Sequence, residues 1–400
     1  MEATTVRTNV ASRPAVTGLA QLPAIAAAGV LWSYIASIWV YKTWYIAAAA
    51  AMIVVVILVA SGAVRTRGLI AGLLPVLLYF GSLLTGALWA SYPQDTIQWV
   101  AIDSIEIFVF ILFFVAYRNA TPRLMAACLM SVVIPTIVIA AVMYRNDPTV
   151  SRLANYALAL MPIAVSFGAA HLAMTRRRWP AAVTFAIAFA ILLAARSRTP
   201  IIAAIVAAGL SIIVYSRNKW LVIVRAFWGL LGIVAIITTL TLIPRTRPMI
   251  VATFVRFTRI AVTWGDIYIV PEDPDLIRIH ISELARKLGR EHFPLGLGYM
   301  NFEREYERMY AMPANLHNTF STWWVEGGIA CLLAVLILVV CHLVDLRRAF
   351  KASGDEHIFA KACLISTIAV ALMGLFHQIH QTPAMWLVLG LGSAAGHRKR

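Results

Sequence analysis

Charged residues are scarce in this chain, and acidic residues are the scarcest. Only 13% of the 400 residues are charged, with 18 Asp and Glu against 34 Lys and Arg. So little charge excludes an ordinary soluble domain, in which about a quarter of the residues are charged. Cysteine is also rare, because the chain has four and no Cys-x-x-Cys pair. The sequence therefore offers no disulfide framework and no cysteine-based metal or redox motif.

Long apolar runs dominate instead. The chain is 61% hydrophobic, with a mean hydropathy of +0.81. About twenty apolar residues in a helix cross a hydrocarbon core roughly 30 Å thick. The sequence predicts an all-α polytopic membrane protein with about twelve transmembrane helices and one large, largely helical outer loop. The twelve predicted spans are 20–40, 44–62, 69–89, 98–117, 124–144, 153–172, 180–195, 200–215, 220–243, 317–343, 358–376 and 382–396.

The basic residues predict the orientation of these spans. They gather in alternate loops, and basic loops are retained on the cytoplasmic side. Both termini are therefore expected inside the cell, and the net charge of +16 is interpreted as topological, with no role for nucleic acid. The clusters are Arg65/Arg67, Arg118/Arg123, Arg176–Arg178, Arg217/Lys219, Arg347/Arg348/Lys351 and Arg398–Arg400. The predicted organisation is a cytoplasmic N-terminus (1–19), nine spans (20–243), the outer loop (244–316), three spans (317–396) and a cytoplasmic basic tail (397–400).

The outer loop has the marks of a folded segment. A stretch carrying Arg256 and Arg259 among apolar residues is expected to lie at the membrane surface. A helix is expected to follow from Asp273 and Pro274 to Gly289, and a shorter one to be capped by Asn301. Between them, Gly296-x-Gly298 is interpreted as a turn.

Arginines at the outer side suggest an anionic ligand. Ten Arg and Lys lie in the loop, among them Arg247 and Arg278, while Arg196 and Arg198 stand at the outer end of the seventh span. The guanidinium group binds phosphate oxygens bidentately and keeps its charge. The alternative for any single loop arginine is a headgroup contact or an ion pair with a loop glutamate.

One His-Asn pair, His317-Asn318, stands where the polar loop meets the tenth predicted span. An imidazole at such a boundary can exchange a proton near neutral pH. Asn318 is expected either to orient that imidazole or to cap the following helix, the second being the more common role for asparagine.

Three segments together resemble the O-antigen ligase and polymerase family. They are Ala195-Arg196-Ser197-Arg198-Thr199-Pro200, the loop from Arg278 through Pro294-Leu295-Gly296-Leu297-Gly298, and His317-Asn318-Thr319-Phe320 up to Glu326-Gly327-Gly328. They occur in the family's order over roughly residues 150–345. Cys331 and Ile202 depart from the family's usual residues, and both changes are of a packing type.

The resemblance implies a bacterial inner-membrane glycosyltransferase of the GT-C type. Such an enzyme transfers a glycan from an undecaprenyl-diphosphate-linked O-antigen donor to a sugar hydroxyl of the lipid A-core acceptor, using no metal and no cofactor. Carried over residue by residue, His317 would be the base, and Arg198 and Arg278, with Arg196, would hold the diphosphate. Asn318, Arg247, Arg256 and His380 would support them.

Two other functions stay open at this point. A polymerase of the same family would use the same donor, and a transporter of lipid-linked glycans would also have about twelve spans. Transporters tend to have internal repeats and broken helices at mid-membrane, which this sequence does not show.

Three further polar groups have alternatives of their own. His377 and His380 are interpreted as polar loop or acceptor-site lining in preference to a metal pair. Asp103 is expected to pair with an arginine or to contact substrate, and Glu326 to face the site or a network on the cytoplasmic side.

Overall fold

The computed structural model describes most of the chain in one set of packed helices. It covers residues 18–36, 43–136, 158–175, 198–216, 262–264, 267–269, 274–310 and 318–398, with 220, 224, 238, 242, 247, 314 and 316 as single residues. The predicted spans at 180–195 and 220–243, and the surface segment around Arg256, lie outside the described residues apart from isolated positions.

The described chain is predominantly helical, as predicted. The helices before the outer loop are α1 (Gly18–Ala36), α2 (Thr43–Ala60), α3 (Leu69–Thr85), α4 (Pro93–Asp103), α5 (Ile105–Asn119), α6 (Pro122–Met130), α7 (Met161–Thr175) and α8 (Arg198–Tyr215). Those from the loop onward are α9 (Pro274–Glu291), α10 (Asn301–Tyr310), α11 (Thr319–Val325), α12 (Gly328–Ala349), α13 (Asp355–Gly374) and α14 (Pro383–His397). Two 3₁₀ turns, Gly86–Leu88 and Ile379–Gln381, lie between helices. The loop also contains an antiparallel hairpin of β1 (Val262–Trp264) and β2 (Ile267–Ile269), in which Thr263 pairs with Tyr268.

Among the described residues, five helical segments are long and apolar enough to cross a membrane. They are Gly18–Ala36, Leu69–Leu88, Pro93–Asn119, Gly328–Ala349 and Asp355–Gly374. Four shorter apolar helices accompany them at Tyr45–Ala60, Pro122–Thr136, Met161–Thr175 and Thr199–Tyr215. The chain is thus a helical multi-pass membrane protein, and the count of twelve spans stays a prediction.

The last helix, α14, lies at the centre of the bundle. It packs against α5, α12 and α13, and its Trp386 is fully buried. A Cβ at Gly390 would lie 2.6 Å from the carbonyl oxygen of Phe110, so glycine is what lets these two backbones approach. By contrast, α12 turns Leu336 and Val340 outward, with 58% and 49% of each residue exposed. Outward leucine and valine on a central apolar helix are typical of contact with lipid.

The alternate loops gather at two ends of the bundle. At one end, which we call the basic end, Arg65 N–H donates to Asn119 (2.8 Å), Arg123 pairs with Asp355 (2.6 Å) and Arg398 reaches Glu356 (3.3 Å). At the opposite end, which we call the outer-loop end, Tyr92 N–H donates to Asn301 (2.8 Å). The grouping of basic loops drawn from the sequence therefore agrees with the packing, while the assignment of each end to a side of the membrane remains a prediction.

Candidate functional site

Two glycine-containing segments join the outer loop to the region of the His-Asn pair. Residues 294–298, the docking turn, lie along residues 325–329 through three backbone hydrogen bonds. Leu297 N–H donates to Val325 O (2.9 Å), Gly298 N–H to Glu326 O (3.0 Å), and Ile329 N–H to Pro294 O (2.8 Å). These bonds resemble a short strand pairing and hold two segments about thirty residues apart in one unit.

Glycine is required where the two segments touch. Gly296 has φ +85°, and a Cβ there would lie 2.6 Å from Glu326 O. Gly328 has φ +60°, and a Cβ there would run into the carbonyl group of Leu295. A side chain at either position would therefore strain the backbone and push the docking turn away. The expected turn at Gly296-x-Gly298 is present, and its partner is Glu326-Gly327-Gly328.

The same contact breaks the helix that the sequence predicted over 317–343. The structure has α11, which ends at Val325, and α12, which begins at Gly328. The positive φ of Gly328 prevents one continuous α-helix from running through this position. The prediction of one unbroken helix over 317–343 was therefore wrong.

Glu326 is a buried carboxyl group at this break. Its Oε1 accepts a hydrogen bond from Phe302 N–H (3.0 Å), and only 2% of the residue is exposed. Its Oε2 has no hydrogen-bond partner among the described residues. Burial raises the pKa of Glu326 to about 8 from an ordinary value of 4.5. Glu326 thus fastens the start of α10 to the end of α11, which places it at the outer-loop end of the bundle.

Asn301 was expected to cap α10, but the structure assigns its side chain elsewhere. Its Oδ1 accepts from Tyr92 N–H (2.8 Å) and its Nδ2 donates to Thr96 Oγ1 (2.8 Å). The cap prediction was therefore wrong, because α10 already begins at Asn301, whose side chain reaches across to α4, while Glu326 binds the Phe302 N–H. Arg304 of α10 adds an ion pair with Asp95 of α4 (2.8 Å).

Tyr299 connects the docking turn to two other segments of the bundle. Its hydroxyl group donates to Asp103 Oδ2 and accepts from Gln381 Nε2, the latter at 3.1 Å. Burial and the negative charge of Asp103 raise the pKa of Tyr299 well above its usual range. Asp103 therefore has a tyrosine partner, and the expected arginine is not among its described contacts.

His317 lies outside the described residues, but its two neighbours in the sequence, Leu316 and Asn318, are described. Asn318 Oδ1 accepts from Phe320 N–H (2.8 Å) and Ser321 N–H (3.1 Å), so Asn318 caps α11. Leu316 is buried in a small apolar core with Leu284 and Leu288 of α9. Leu316, the residue before His317 in the sequence, thus belongs to the same small core as α9, the helix that carries Arg278.

The loop before α14 reaches the same place. Thr319 Oγ1 donates to His377 O (2.6 Å) and accepts from Ile379 N–H (2.8 Å), and His380 Nδ1 lies 3.5 Å from it. His380 is 2% exposed, its Nε2 has no hydrogen-bond partner in the described part of the chain, and burial lowers its pKa to about 3. His380 is therefore neutral at physiological pH and cannot supply a positive charge to a phosphate. Among the described residues no group of three His, Cys, Asp or Glu side chains could hold a metal ion.

The predicted arginines are only partly described. Arg198 begins α8 and Arg278 lies within α9, and their side chains lie outside the description. Arg247 is half-buried and has an interaction partner, whereas Arg196 and Arg256 lie outside the described residues. Two other loop arginines form ion pairs, which is the alternative to binding a phosphate. Arg304 pairs with Asp95, and Arg308 pairs with Glu305 (2.7 Å).

These observations define a helical membrane bundle in which a folded loop at one end is docked on residues 325–329, shortly after the His-Asn pair in the sequence. Residues 182–336 match the family model of the O-antigen ligases. This match, over 155 of the 400 residues, confirms the resemblance drawn from the three motifs. The match supports an enzyme of ligase or polymerase type in O-antigen assembly. No curated protein matches the chain.

The contacts of Tyr299, Thr319 and Gln381 were not predicted from the sequence. A signal was present for the docking itself, because paired glycines occur in both touching segments. Nothing in the sequence pointed from Tyr299 to Asp103, which lies 196 positions earlier.

Proposed function

We propose that this protein is an O-antigen ligase of the bacterial inner membrane. It transfers a glycan from undecaprenyl diphosphate to a sugar hydroxyl of lipid A-core, with no metal and with inversion of the anomeric centre. The observation that supports this most directly is the shared core of Leu316, Leu284 and Leu288, because Leu316 directly precedes His317 in the sequence and the two leucines lie on the helix of Arg278. The family match over residues 182–336 covers all three motifs from Arg196 to Gly328.

The proposed chemistry uses one base and fixed positive charges. As the acceptor oxygen attacks the anomeric carbon, His317 takes the hydroxyl proton. The bond from that carbon to the diphosphate oxygen breaks, and the diphosphate leaves with the bonding electrons. Arg198 and Arg278, with Arg196 nearby in sequence, stabilise the charge that develops on the leaving group. A positioned general base contributes roughly 10²–10⁴-fold in rate.

The docked loop supports this chemistry by fixing geometry. The docking turn, Glu326 and the Asn318 cap together restrict the start of α11, which directly follows His317. Misplacement of a catalytic group by about 1 Å can cost roughly 10²-fold in rate, so a rigid junction is of direct use. Arg247, Arg256 and His380 are proposed to support the site, His380 as a neutral group that shapes the loop at Thr319.

We further propose that the bundle has about twelve spans in a GT-C type fold, with both termini cytoplasmic and the outer loop periplasmic. The basic end then faces the cytoplasm. Cysteine labelling with a membrane-impermeant reagent tests this, using single cysteines at two exposed positions, Ser61 at the basic end and Glu291 at the outer-loop end. Labelling at 291 and protection at 61 is expected, and the reverse pattern would overturn the orientation.

The purified protein in detergent distinguishes an enzyme from a carrier. A lipid-linked donor and lipid A-core should give ligated product if the protein is a transferase. Movement of the donor in vesicles without bond formation would support the transporter.

Complementation distinguishes the ligase from the polymerase of the same family. Restored capping in a ligase-null strain is expected, with no restored ladder in a polymerase-null strain. The opposite result would assign the polymerase.

A further inference from the structure

A cavity of about 220 Å³ opens at the basic end of the bundle. Two arginines and one carboxylate, Arg348, Arg398 and Glu356, are in its wall, together with small residues such as Ala349 and Ala352. The cavity exists because these side chains are small, and the charged side chains in its wall determine which ligand it can bind. This end lies opposite the docking turn, so the cavity is separate from the candidate active site.

The cavity lies at the level where lipid headgroups are found. Arg348 is in the last turn of the candidate span Gly328–Ala349, Glu356 in the first turn of Asp355–Gly374, and Tyr117 near the end of Pro93–Asn119. Three spans that end at one level mark the boundary between hydrocarbon and water. Val344 and Val340, four and eight residues before Arg348, lie on the same helix face and are 41% and 49% exposed. That face provides an apolar path beside the cavity for an acyl chain.

The arginines are held in place and retain donors. Among the described residues, Arg348 donates only to Asp345 (3.0 Å). Arg398 donates to Tyr117 O (3.2 Å) and Ala120 O (2.9 Å), and its guanidinium lies 4.8 Å from the centre of the Tyr117 ring. Guanidinium groups that are fixed by protein contacts and open on one side suit a phosphate diester.

Glu356 selects among the headgroups that carry such a phosphate. Its carboxylate lies 3.3 Å from Arg398 Nε, so the wall offers positive and negative charge side by side. A purely anionic headgroup would place its phosphate near this carboxylate without a compensating cation. A primary ammonium next to the phosphate would satisfy Glu356 with charge-assisted N–H donors, which a quaternary ammonium lacks.

We propose that the cavity between Arg348, Arg398 and Glu356 binds the phosphoethanolamine headgroup of a membrane phospholipid. The phosphate contacts the two arginines and the ammonium contacts Glu356. The lipid joins α5, α12, α13 and α14 at this end and is a structural ligand, independent of the proposed transfer reaction.

Native mass spectrometry of the full-length protein in detergent tests this site. Phosphatidylethanolamine, phosphatidylglycerol and phosphatidylcholine with identical acyl chains are added in equal amounts. The wild type should retain phosphatidylethanolamine over each of the others by roughly fivefold or more, as expected when a charge-assisted pair is made with only one headgroup. Equal retention of the three lipids would overturn the proposal, and preference for phosphatidylglycerol would show a simple anion site instead.

Three variants and a matched control make the test specific. Arg348→Gln should lose most of the bound lipid, whereas Arg347→Gln, at the exposed neighbouring position outside the cavity wall, should keep it. Glu356→Gln should shift the preference from phosphatidylethanolamine to phosphatidylglycerol. Ala352→Trp should fill the cavity and exclude both lipids while leaving every charge in place.

The remaining outcomes are equally decisive. If Arg348→Gln and Arg347→Gln retain the same lipid, or Glu356→Gln leaves the preference unchanged, the assigned groups are wrong. Displacement of the lipid by millimolar inorganic phosphate would show a free-anion site. Transfer activity does not enter any of these readouts, so failure here and failure of the proposed function are distinguishable.

Discussion

Replacement of Glu326 by glutamine should remove a large pH dependence of stability. The Glu326 carboxyl has a pKa of about 8 in the folded protein against an ordinary value of 4.5, because burial disfavours its charged form. A raised pKa means that the folded state binds the proton more tightly than the unfolded state. Stability therefore falls as the pH rises from about 4.5, and stops falling above about 8.

The magnitude follows from these two values. Between about pH 6.5 and pH 8.5, this one group should lower the free energy of unfolding by about 2 kcal/mol. The glutamine side chain keeps an acceptor for Phe302 N–H and carries no titratable proton. His380, whose pKa is lowered to about 3, affects stability only below its ordinary value of 6.5, so it does not contribute in this range.

Thermal unfolding in detergent across that pH range is the assay. Wild-type protein should lose roughly 2 °C or more in its midpoint, and Glu326→Gln should lose much less. Glu291→Gln, at an exposed carboxylate paired with Lys287 (4.0 Å), is the matched control and should follow the wild type. Equal pH dependence in wild type and Glu326→Gln would refute the reasoning from burial.

Three further changes test the junction and the site. Gly296→Ala should destabilise the docking turn by roughly 1–3 kcal/mol and speed hydrogen exchange over 294–310. Gly81→Ala is the control and should do neither, because a Cβ there meets nothing within 4 Å. Unchanged exchange in Gly296→Ala would contradict the docking role. Asn318→Ala should lower stability by about 0.5–2 kcal/mol through loss of the cap, and Asn318→Asp should retain it; equal midpoints for both would contradict a capping role. Arg198→Lys should fold normally and lose most transfer activity, because an ammonium does not reproduce the bidentate fork, and a wild-type rate in that variant would exclude the diphosphate role.

The bounds of several described helices could be predicted from the sequence to within a few residues. The span expected at 358–376 is α13 at Asp355–Gly374, and the one expected at 382–396 is α14 at Pro383–His397. These segments are long and apolar, and hydrophobic length is a local property of the chain. The helix expected from Pro274 is also present as α9, and its Ile281, Leu284 and Leu288, which recur at helical spacing, are buried.

The junction could not be predicted, because it depends on contacts between distant segments. Glycines at 296 and 328 are visible in the sequence, but their pairing requires two positive φ angles and a backbone approach that no local pattern encodes. The same reason explains why Asn301 was interpreted as a cap. Its preferred local role was overridden by Thr96 on α4 and by Glu326 at the end of α11.

The central claim is that His317 removes the proton from the acceptor hydroxyl, and glycan transfer by the purified protein tests it most directly. With lipid-linked donor and lipid A-core as substrates, the transfer rate of the His317→Ala protein should be roughly 10²–10⁴-fold below that of the wild type. Added imidazole should restore part of that rate. His357→Ala, at the basic end beside Phe350, should transfer at the wild-type rate. A His317→Ala protein that forms ligated product as fast as the wild type would contradict the account.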